Sequence, residues 1–362
     1  MTIGKRASLW LQDFAIDEKL LARTIADLPF RGTVGTTGTQ ASYLALFDGD
    51  HAKVSTQSRR IAEICGFEAS ALLPVCGQTY TRKYDFLILS VLSGIAQSAH
   101  KMCTDIRLLA NLKELEEPFG KKQVGSSAMA YKRNPMRSER CCALARIVIS
   151  LTANTANTAA NQWLERTLDD SANRRIALPE GECCHTTVIT ITFHVNPSHN
   201  FTRSTYPLWS CLPNFLFRKA FLATDVMLRT AADVAGGLVV YPQVVNAHVQ
   251  QELPFMATED ILMACVKGGG DRQILHEAIR EHSVEAAKVV KQQGGKNDLI
   301  ERLATDALFA PVHATLGDIM QPERFVGRCA EQVDAYLASY IDPLLARHEA
   351  TLAVHGDDAM RV

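Results

Sequence analysis

Asp85-Phe-Leu-Ile-Leu-Ser-Val-Leu-Ser-Gly-Ile-Ala-Gln-Ser-Ala-His-Lys-Met-Cys-Thr-Asp-Ile-Arg-Leu-Leu-Ala-Asn-Leu112 carries an apolar pattern through about seven helical turns, with Gly94 as its one glycine. Ser138 to about Trp163 repeats the pattern with Ala and Leu. Helices this long, apolar on several faces, belong inside a bundle and are expected to pack against other subunits as well. Residues 8–27 place Leu9, Trp10, Phe14, Leu20 and Leu21 among charges and stop before Pro29, as an amphipathic helix does. After the break at Tyr241-Pro242 shorter helices are expected at 243–252, 257–267, 271–292, 297–307 and 328–347. Gly268-Gly269-Gly270 reads as a helix stop, with Asp271 as the next N-cap. The fold class is therefore all-α: a long-helix bundle over 1–240 and a smaller C-terminal helical domain over 241–362.

Composition narrows the function. The 362 residues are 47% hydrophobic and 21% charged, ordinary for a globular protein, and the formal net charge of -1 makes no electrostatic case for nucleic acid. No window reads as a run of apolar residues long enough for a membrane span, and Met1-Thr-Ile-Gly-Lys-Arg6 leads into no secretory core. The expected setting is cytoplasmic, with no membrane and no nucleic-acid partner. The ten cysteines include the adjacent pairs Cys141-Cys142 and Cys183-Cys184 but no Cys-x-x-Cys, which points to reduced thiols, several of them buried, and to no metal site. His276-Glu277 lacks the second histidine of a zinc protease motif, and His100 reads as a core or interface residue.

The chemistry concentrates in Gly125-Ser-Ser-Ala-Met-Ala-Tyr-Lys-Arg-Asn-Pro135. Glycine and two serines hold no regular structure, while Lys132 and Asn134 offer a charged and a neutral donor suited to a carboxylate. The segment reads as an active-site loop that closes over an anion.

This string resembles the signature loop of the fumarase/aspartase superfamily. Neighbouring words narrow the resemblance to the adenylosuccinate lyase family: Arg31-Gly-Thr-Val-Gly-Thr-Thr-Gly-Thr-Gln40, Gln78-Thr-Tyr-Thr-Arg-Lys83, Lys101–Arg107, Met136–Arg140, Glu165-Arg-Thr-Leu-Asp-Asp-Ser-Ala-Asn-Arg-Arg175 and Gln251–Glu259. The family usually has proline where this chain has Ala130, a change that removes a fixed φ and should loosen the loop.

The resemblance implies cleavage of adenylosuccinate to AMP and fumarate, and of the succinyl-carboxamide ribotide to the carboxamide ribotide and fumarate. A base takes the proton beside a carboxylate, the aci-carboxylate is stabilised, and an acid protonates the leaving nitrogen. By carry-over the base is Ser126. Lys132 and Asn134 bind the succinyl carboxylates, Gln40 touches the succinyl group, Arg166, Ser171 and Arg175 hold the nucleotide phosphate, and Arg140 lies near the ribose. The structural alternative is that Arg166 and Arg175 merely pair with Asp169 and Asp170. No cofactor is implied, and the expected assembly is a homotetramer with active sites shared among subunits.

Family members carry a Thr-His-x-Gln-Pro-Ala-Gln motif, the source of the acid histidine, directly upstream of the Gly-Lys-Arg-x-x-Leu-Trp sequence found here at Gly4–Trp10. The expectation is a chain truncated at its N-terminus, without the family's N-terminal domain, and inactive by itself. The rival readings are another lyase of the superfamily, such as argininosuccinate lyase or fumarase, and a non-catalytic or complementing subunit of a lyase tetramer. Residues 181–219 fall outside the resemblance. Thr186–Val195 there is β-branched and strand-like, three Xaa-Pro pairs follow, and the segment reads as an insertion, a translated intron whose removal would join Glu180 to Ala220 and run a helix through Leu222, Val226, Met227, Ala231 and Val234.

Overall fold

A computed structural model describes residues 1–120, 128–129, 131–177 and 219–349, without the side chains of Arg175, Ile176 and Lys219. Ser126 and Ala130 lie outside the described residues, as does the expected insertion apart from Lys219. Among the described residues the fold is all-α, with β structure limited to two-residue strands and one isolated bridge. Contacts divide the chain into two compact units, one built on Val239–Leu337 with Met1–Ser8 and Leu109–Glu116, the other on Leu9–Leu108, the described part of Glu117–Leu238, and the described residues from Ala338 onward.

The second of these units holds most of the long helices α1 (Ile3–Ala26) and α4 (Lys83–Asn111), from Leu9 and up to Leu108 respectively, and all of α5 (Met136–Ala160) and α7 (Lys219–Gly236), with the shorter α2 (Ala41–Leu46), α3 (His51–Ile64) and α6 (Asp170–Ala177). Neighbours run antiparallel. Trp10 Nε1 donates to Asp105 Oδ2 at 2.7 Å and Ser98 Oγ to Asp17 Oδ2 at 2.6 Å, which pairs α1 with α4. Thr152 Oγ1 donates to the Leu89 carbonyl at 3.3 Å, and Cys142 Sγ to that of His100 at 3.7 Å, pairing α4 with α5. Cys141 Sγ reaches the Met227 carbonyl at 3.8 Å, and Arg137 pairs with Asp233, pairing α5 with α7. At Gly94 there is little room for a side chain against α1, since a Cβ there would stand 2.9 Å from Asp17 Oδ1.

The helix α1 starts earlier than its apolar pattern suggests, because the Thr2 hydroxyl accepts from the Lys5 N–H at 3.2 Å and caps it. The reading that no window comes near a membrane span needs correcting: among the described residues α4 alone is long and apolar enough by length and composition. Ser90, Ser93 and Gln97 interrupt the apolar run, while the Leu, Ile, Val and Ala residues around them keep its average apolar. The reason is its place in the bundle, where Leu89, Leu92, Ile95, Ala99, Met102, Cys103 and Ile106 are buried. In α7 the residues Met227, Ala231 and Val234 are buried as the pattern implies, while Leu222 and Val226 face outward. Among the described cysteines, Cys103, Cys141, Cys142, Cys265 and Cys329 are buried and free.

The other unit contains α8 (Pro242–Met256), α9 (Thr258–Lys267), α10 (Arg272–Gln293), α11 (Leu299–Thr305), α12 (Leu316–Ile319) and α13 (Cys329–Tyr336). Ile261, Leu262, Cys265, Leu275, Ile279, Leu299, Leu303, Phe309, Val312 and Leu316 form its core. Asp271 Oδ1 accepts from the N–H groups of Gln273 and Ile274 at 2.8 and 3.1 Å, the N-cap expected after the glycine turn. Leu115–Glu116 and Val239–Val240 pair antiparallel beside it, with Leu115 opposite Val240.

Candidate active site

Gln40 sits just before α2 in a left-handed conformation, φ 58°, and its Nε2 donates to the Thr33 carbonyl at 3.0 Å and the Ser58 hydroxyl at 3.1 Å. The loop that carries it is clamped from below. Arg31 Nη2 donates to the carbonyls of Gly77 and Gln78 at 3.3 and 2.8 Å, and Gly38, φ 83°, lies so close that a Cβ would stand 2.3 Å from the Cys76 carbonyl oxygen. Only glycine fits there. Gly77 in turn packs against Glu165, with 3.7 Å from its would-be Cβ to the Glu165 Cβ. The Gln40 loop and the Arg166 word are thus stacked through Gly77, and Gln40 lines a cavity of about 440 Å³ together with Arg31, Ser58 and Arg59.

Within the Arg166 word the decisive group is Asp170, at the start of α6. Its Oδ2 accepts from Arg82 Nε at 2.5 Å, and both side chains are buried, at 3% and 0% exposure. Arg166 Nη2 stands 3.6 Å from Asp170 Oδ1, an ion pair too long for a hydrogen bond, so Arg166 Nε and Asp170 Oδ1 remain without hydrogen-bond partners. Arg166 therefore does meet Asp170, as the structural alternative holds, yet Arg82 already balances that carboxylate. Arg166 keeps its net charge, and its guanidinium side chain, partly exposed, is suited to an anion although its Nε is buried. Ser171 follows on the first turn of α6, half-buried, and the Arg175 side chain lies outside the described residues.

A second charged group braces the same end. Tyr80 donates to Asp85 Oδ1 at 2.7 Å, Arg174 Nε to Asp85 Oδ2 at 2.9 Å, and Arg174 Nη2 to the Tyr80 oxygen at 2.5 Å. The guanidinium carbons of Arg82 and Arg174 lie 4.7 and 5.1 Å from the centre of the Tyr80 ring. Burial, reinforced by the Asp85 charge, pushes the Tyr80 hydroxyl up to about 12, so it stays a neutral donor.

Lys132, Asn134 and Arg140 belong to the opposite end of α5. Glu117, buried, collects the first turn of that helix: its carboxylate accepts from the Arg137 N–H at 2.9 Å and from the Ser138 N–H and hydroxyl at 3.0 and 3.1 Å. Arg133 stacks on Phe119, 5.3 Å from guanidinium carbon to ring centre. Lys132 and Arg140 are exposed and Asn134 is half-buried. Asn173 Nδ2 donates to Thr158 Oγ1 at 2.6 Å, which ties α6 to the C-terminal end of α5. The 25 residues of α5 span about 37 Å at roughly 1.5 Å per residue. The structure therefore brings Gln40, Arg166 and Ser171 into one group and keeps Lys132, Asn134 and Arg140 in another.

The family described as "Lyase" matches residues 1–150, and that described as "Adenylosuccinate lyase C-terminus" matches residues 254–336. The chain is 47% identical over 344 residues to an adenylosuccinate lyase of Saccharomyces cerevisiae, covering 95% of this chain and 63% of that one. The chain belongs to the adenylosuccinate lyase family. A second member of the family, from Schizosaccharomyces pombe, is 46% identical over 95% of this chain and 63% of its own length, so the chain spans somewhat under two thirds of these relatives. Among solved structures, the 3-carboxy-cis,cis-muconate lactonizing enzyme of Pseudomonas putida shares the fold, with a TM-score of 0.64 and 17% identity over 97% of this chain and 64% of that one.

Sequence reading of this adenylosuccinate lyase family member missed the residues that hold the site residues. Tyr80 and Arg82 stand inside a quoted family word without a role assigned to either, and Asp170, inside another, was weighed only as a partner of Arg166 and Arg175 and not of Arg82. Glu117 had no signal at all, since its partners lie 20 and 21 residues away across a loop.

Proposed function

We propose that this chain is one component of an adenylosuccinate lyase that releases fumarate from adenylosuccinate and from the succinyl-carboxamide ribotide, within a homotetramer whose active sites combine residues of several copies. Ser126 takes the proton beside the carboxylate, Lys132 and Asn134 hold the succinyl carboxylates with Gln40, and Arg166, Ser171 and Arg175 take the nucleotide phosphate with Arg140 near the ribose. An ordinary serine is far too weak an acid for this, so its alkoxide needs surrounding donors and a loop closed against water.

The observation that carries the reading is the separation of the two residue groups along α5. They cannot meet over one substrate within a single chain, whereas a lyase with shared sites requires them apart. Arg166 beside a charge-balanced Asp170 suits a phosphate, and Lys132 with Asn134 suits carboxylates.

Co-expression with a full-length family lyase whose signature serine is alanine tests it. Fumarate release should recover in the mixed assembly and vanish again with Ser126→Ala in this chain; co-assembly without recovery would overturn Ser126 as the base. Residues 1–362 contain no Thr-His-x-Gln-Pro-Ala-Gln motif. Assayed by itself the polypeptide should therefore turn over about two to four orders of magnitude below a full-length lyase, the usual cost of a missing general acid.

A further inference from the structure

The Gln40 side chain is already held by the protein on two sides. Its Nε2 donates to the Thr33 carbonyl at 3.0 Å and to the Ser58 hydroxyl oxygen at 3.1 Å, and its backbone N–H donates to the Val34 carbonyl at 3.1 Å. A carbonyl only accepts, so the group facing Thr33 is the amide nitrogen; a turned amide would set two acceptors against each other. Both amide hydrogens are thereby used. The amide oxygen accepts nothing from the described residues and is not sealed from solvent. The backbone at Gln40 is left-handed, φ 58°, a conformation that persists where the surroundings over-determine it and that gathers at ligand clamps.

Ser58 completes the clamp from α3. It stands one turn after Val54 and one before Ala62, both buried, so it falls on the inward face of α3, where its hydroxyl takes Gln40 as partner. We propose that Ser58 is a positioning residue that, with the Thr33 carbonyl, fixes Gln40 to present its amide oxygen to the N–H of the carbon–nitrogen bond that breaks. The proposal rests on the lyase reading of the site and moves Gln40 from the succinyl carboxylates to the nitrogen that bears them. Carboxylates and a phosphate offer acceptors, whereas both substrates carry one N–H at the scissile bond. In the elimination the base takes the proton beside the carboxylate and the C–H pair becomes the double bond. The carbon–nitrogen pair stays on nitrogen, which takes the acid's proton. Positive charge grows on that nitrogen as the proton arrives, so its hydrogen bond to Gln40 strengthens toward the transition state.

Two measurements on the full chain test it. With isotope-labelled glutamine side chains, the Gln40 amide resonances are assigned by their loss in Gln40→Met. The Gln40 amide protons should exchange slowly with water, about three- to tenfold faster in Ser58→Ala, and near the parent rate in Ser58→Thr, which keeps the hydroxyl. The second measurement is titration calorimetry with AMP and with the same purine ribotide lacking the exocyclic amino group. AMP should bind about three- to tenfold tighter, the worth of one hydrogen bond. Gln40→Met should abolish that preference and Ser58→Ala should reduce it, while Ser58→Thr should keep it, with far-UV circular dichroism unchanged in all three.

A Gln40 amide that exchanges as fast as free glutamine, or that Ser58→Ala leaves unchanged, would overturn Ser58 as the positioning residue. An AMP preference that survives Gln40→Met would overturn the acceptor role, as would fumarate binding lost in Gln40→Met with that preference intact. AMP bound with no preference for the amino group would remove the proposal alone and leave the lyase reading standing. A chain that binds neither AMP nor fumarate would remove the lyase reading and the substrate contact with it, while amide exchange still decides whether Ser58 holds Gln40.

Discussion

At its C-terminal end α5 lies beside charge that has been taken out of water, the Arg82–Asp170 pair with Tyr80, Asp85 and Arg174 close by. At its N-terminal end it is gathered by a single carboxylate, Glu117, that caps backbone N–H groups and one hydroxyl. The first arrangement is a network of side chains from two family words and from Asp85 at the start of α4, and it lies beside Arg166 and Ser171. The second is local to one helix terminus, where an anion also complements the partial positive charge of the first turn. The difference teaches that this chain supports its two groups of candidate residues separately, so each support can be damaged without the other.

The largest effect should come from Arg82→Met. It leaves Asp170 buried with only the distant Arg166, and breaking a buried pair in this way costs about 3–5 kcal/mol. Urea unfolding should show it, and Arg82→Met with Asp170→Leu should recover much of the loss, because the uncompensated charge is then gone. A cost for Arg82→Met below that of any change at Glu117 would break the comparison.

Glu117→Ala comes next. It strands the Arg137 and Ser138 N–H groups, at about 1–3 kcal/mol for buried donors without partners. Glu117→Gln should cost less, since the amide oxygen still accepts. Hydrogen exchange should sharpen the contrast: Glu117→Ala speeds exchange in the first turn of α5 and leaves α6 unchanged, whereas Arg82→Met does the reverse.

The smallest effect is expected at Asp17, which lies away from both ends. Burial raises its carboxyl above the usual value, with the Ser98 hydrogen bond opposing and Asp13 adding to the rise. Because the folded form holds its proton more tightly than the unfolded one, stability from this group is full below the unfolded pKa and is lost as pH rises through the folded one. Asp17→Asn should flatten that fall above about pH 4 while keeping a partner for Ser98. Unfolding midpoints across pH check it, and an unchanged slope would show that Asp17 does not titrate in this range.

The candidate site was legible in the sequence only in part. Gln40, Lys132, Asn134, Arg140, Arg166, Ser171 and Arg175 stood out because family words surround them. Their division into two groups did not, because the words say nothing about which end of α5 each one reaches. Glu117 and Arg82 were silent for a related reason: an acid that caps a helix 20 residues away, or an arginine that buries itself on an aspartate 88 residues away, looks like any surface charge until the chain has folded.

The periods of apolar residues were enough to specify α4, α5, α8, α9 and α10 to within a few residues, and Gly268–Asp271 specified a turn and cap, because helix formation and capping depend on neighbours three or four positions away. The early start of α1 was a matter of one hydroxyl, Thr2, whose capping role depends on local geometry rather than on apolar period. Leu222 and Val226 fit the helical period of α7 yet face outward, since period alone leaves the rotation of a helix against its neighbours open. Gly94 read as an interruption of α4, and the structure sets it against Asp17 of α1, where a Cβ would crowd the carboxylate. Sequence alone, then, determined the elements and the chemical inventory, because those follow from short-range periodicity and residue type. Only the tertiary structure decided which charges are buried together and which residues share an end of a helix, because burial and distance are properties of packing between segments far apart along the chain.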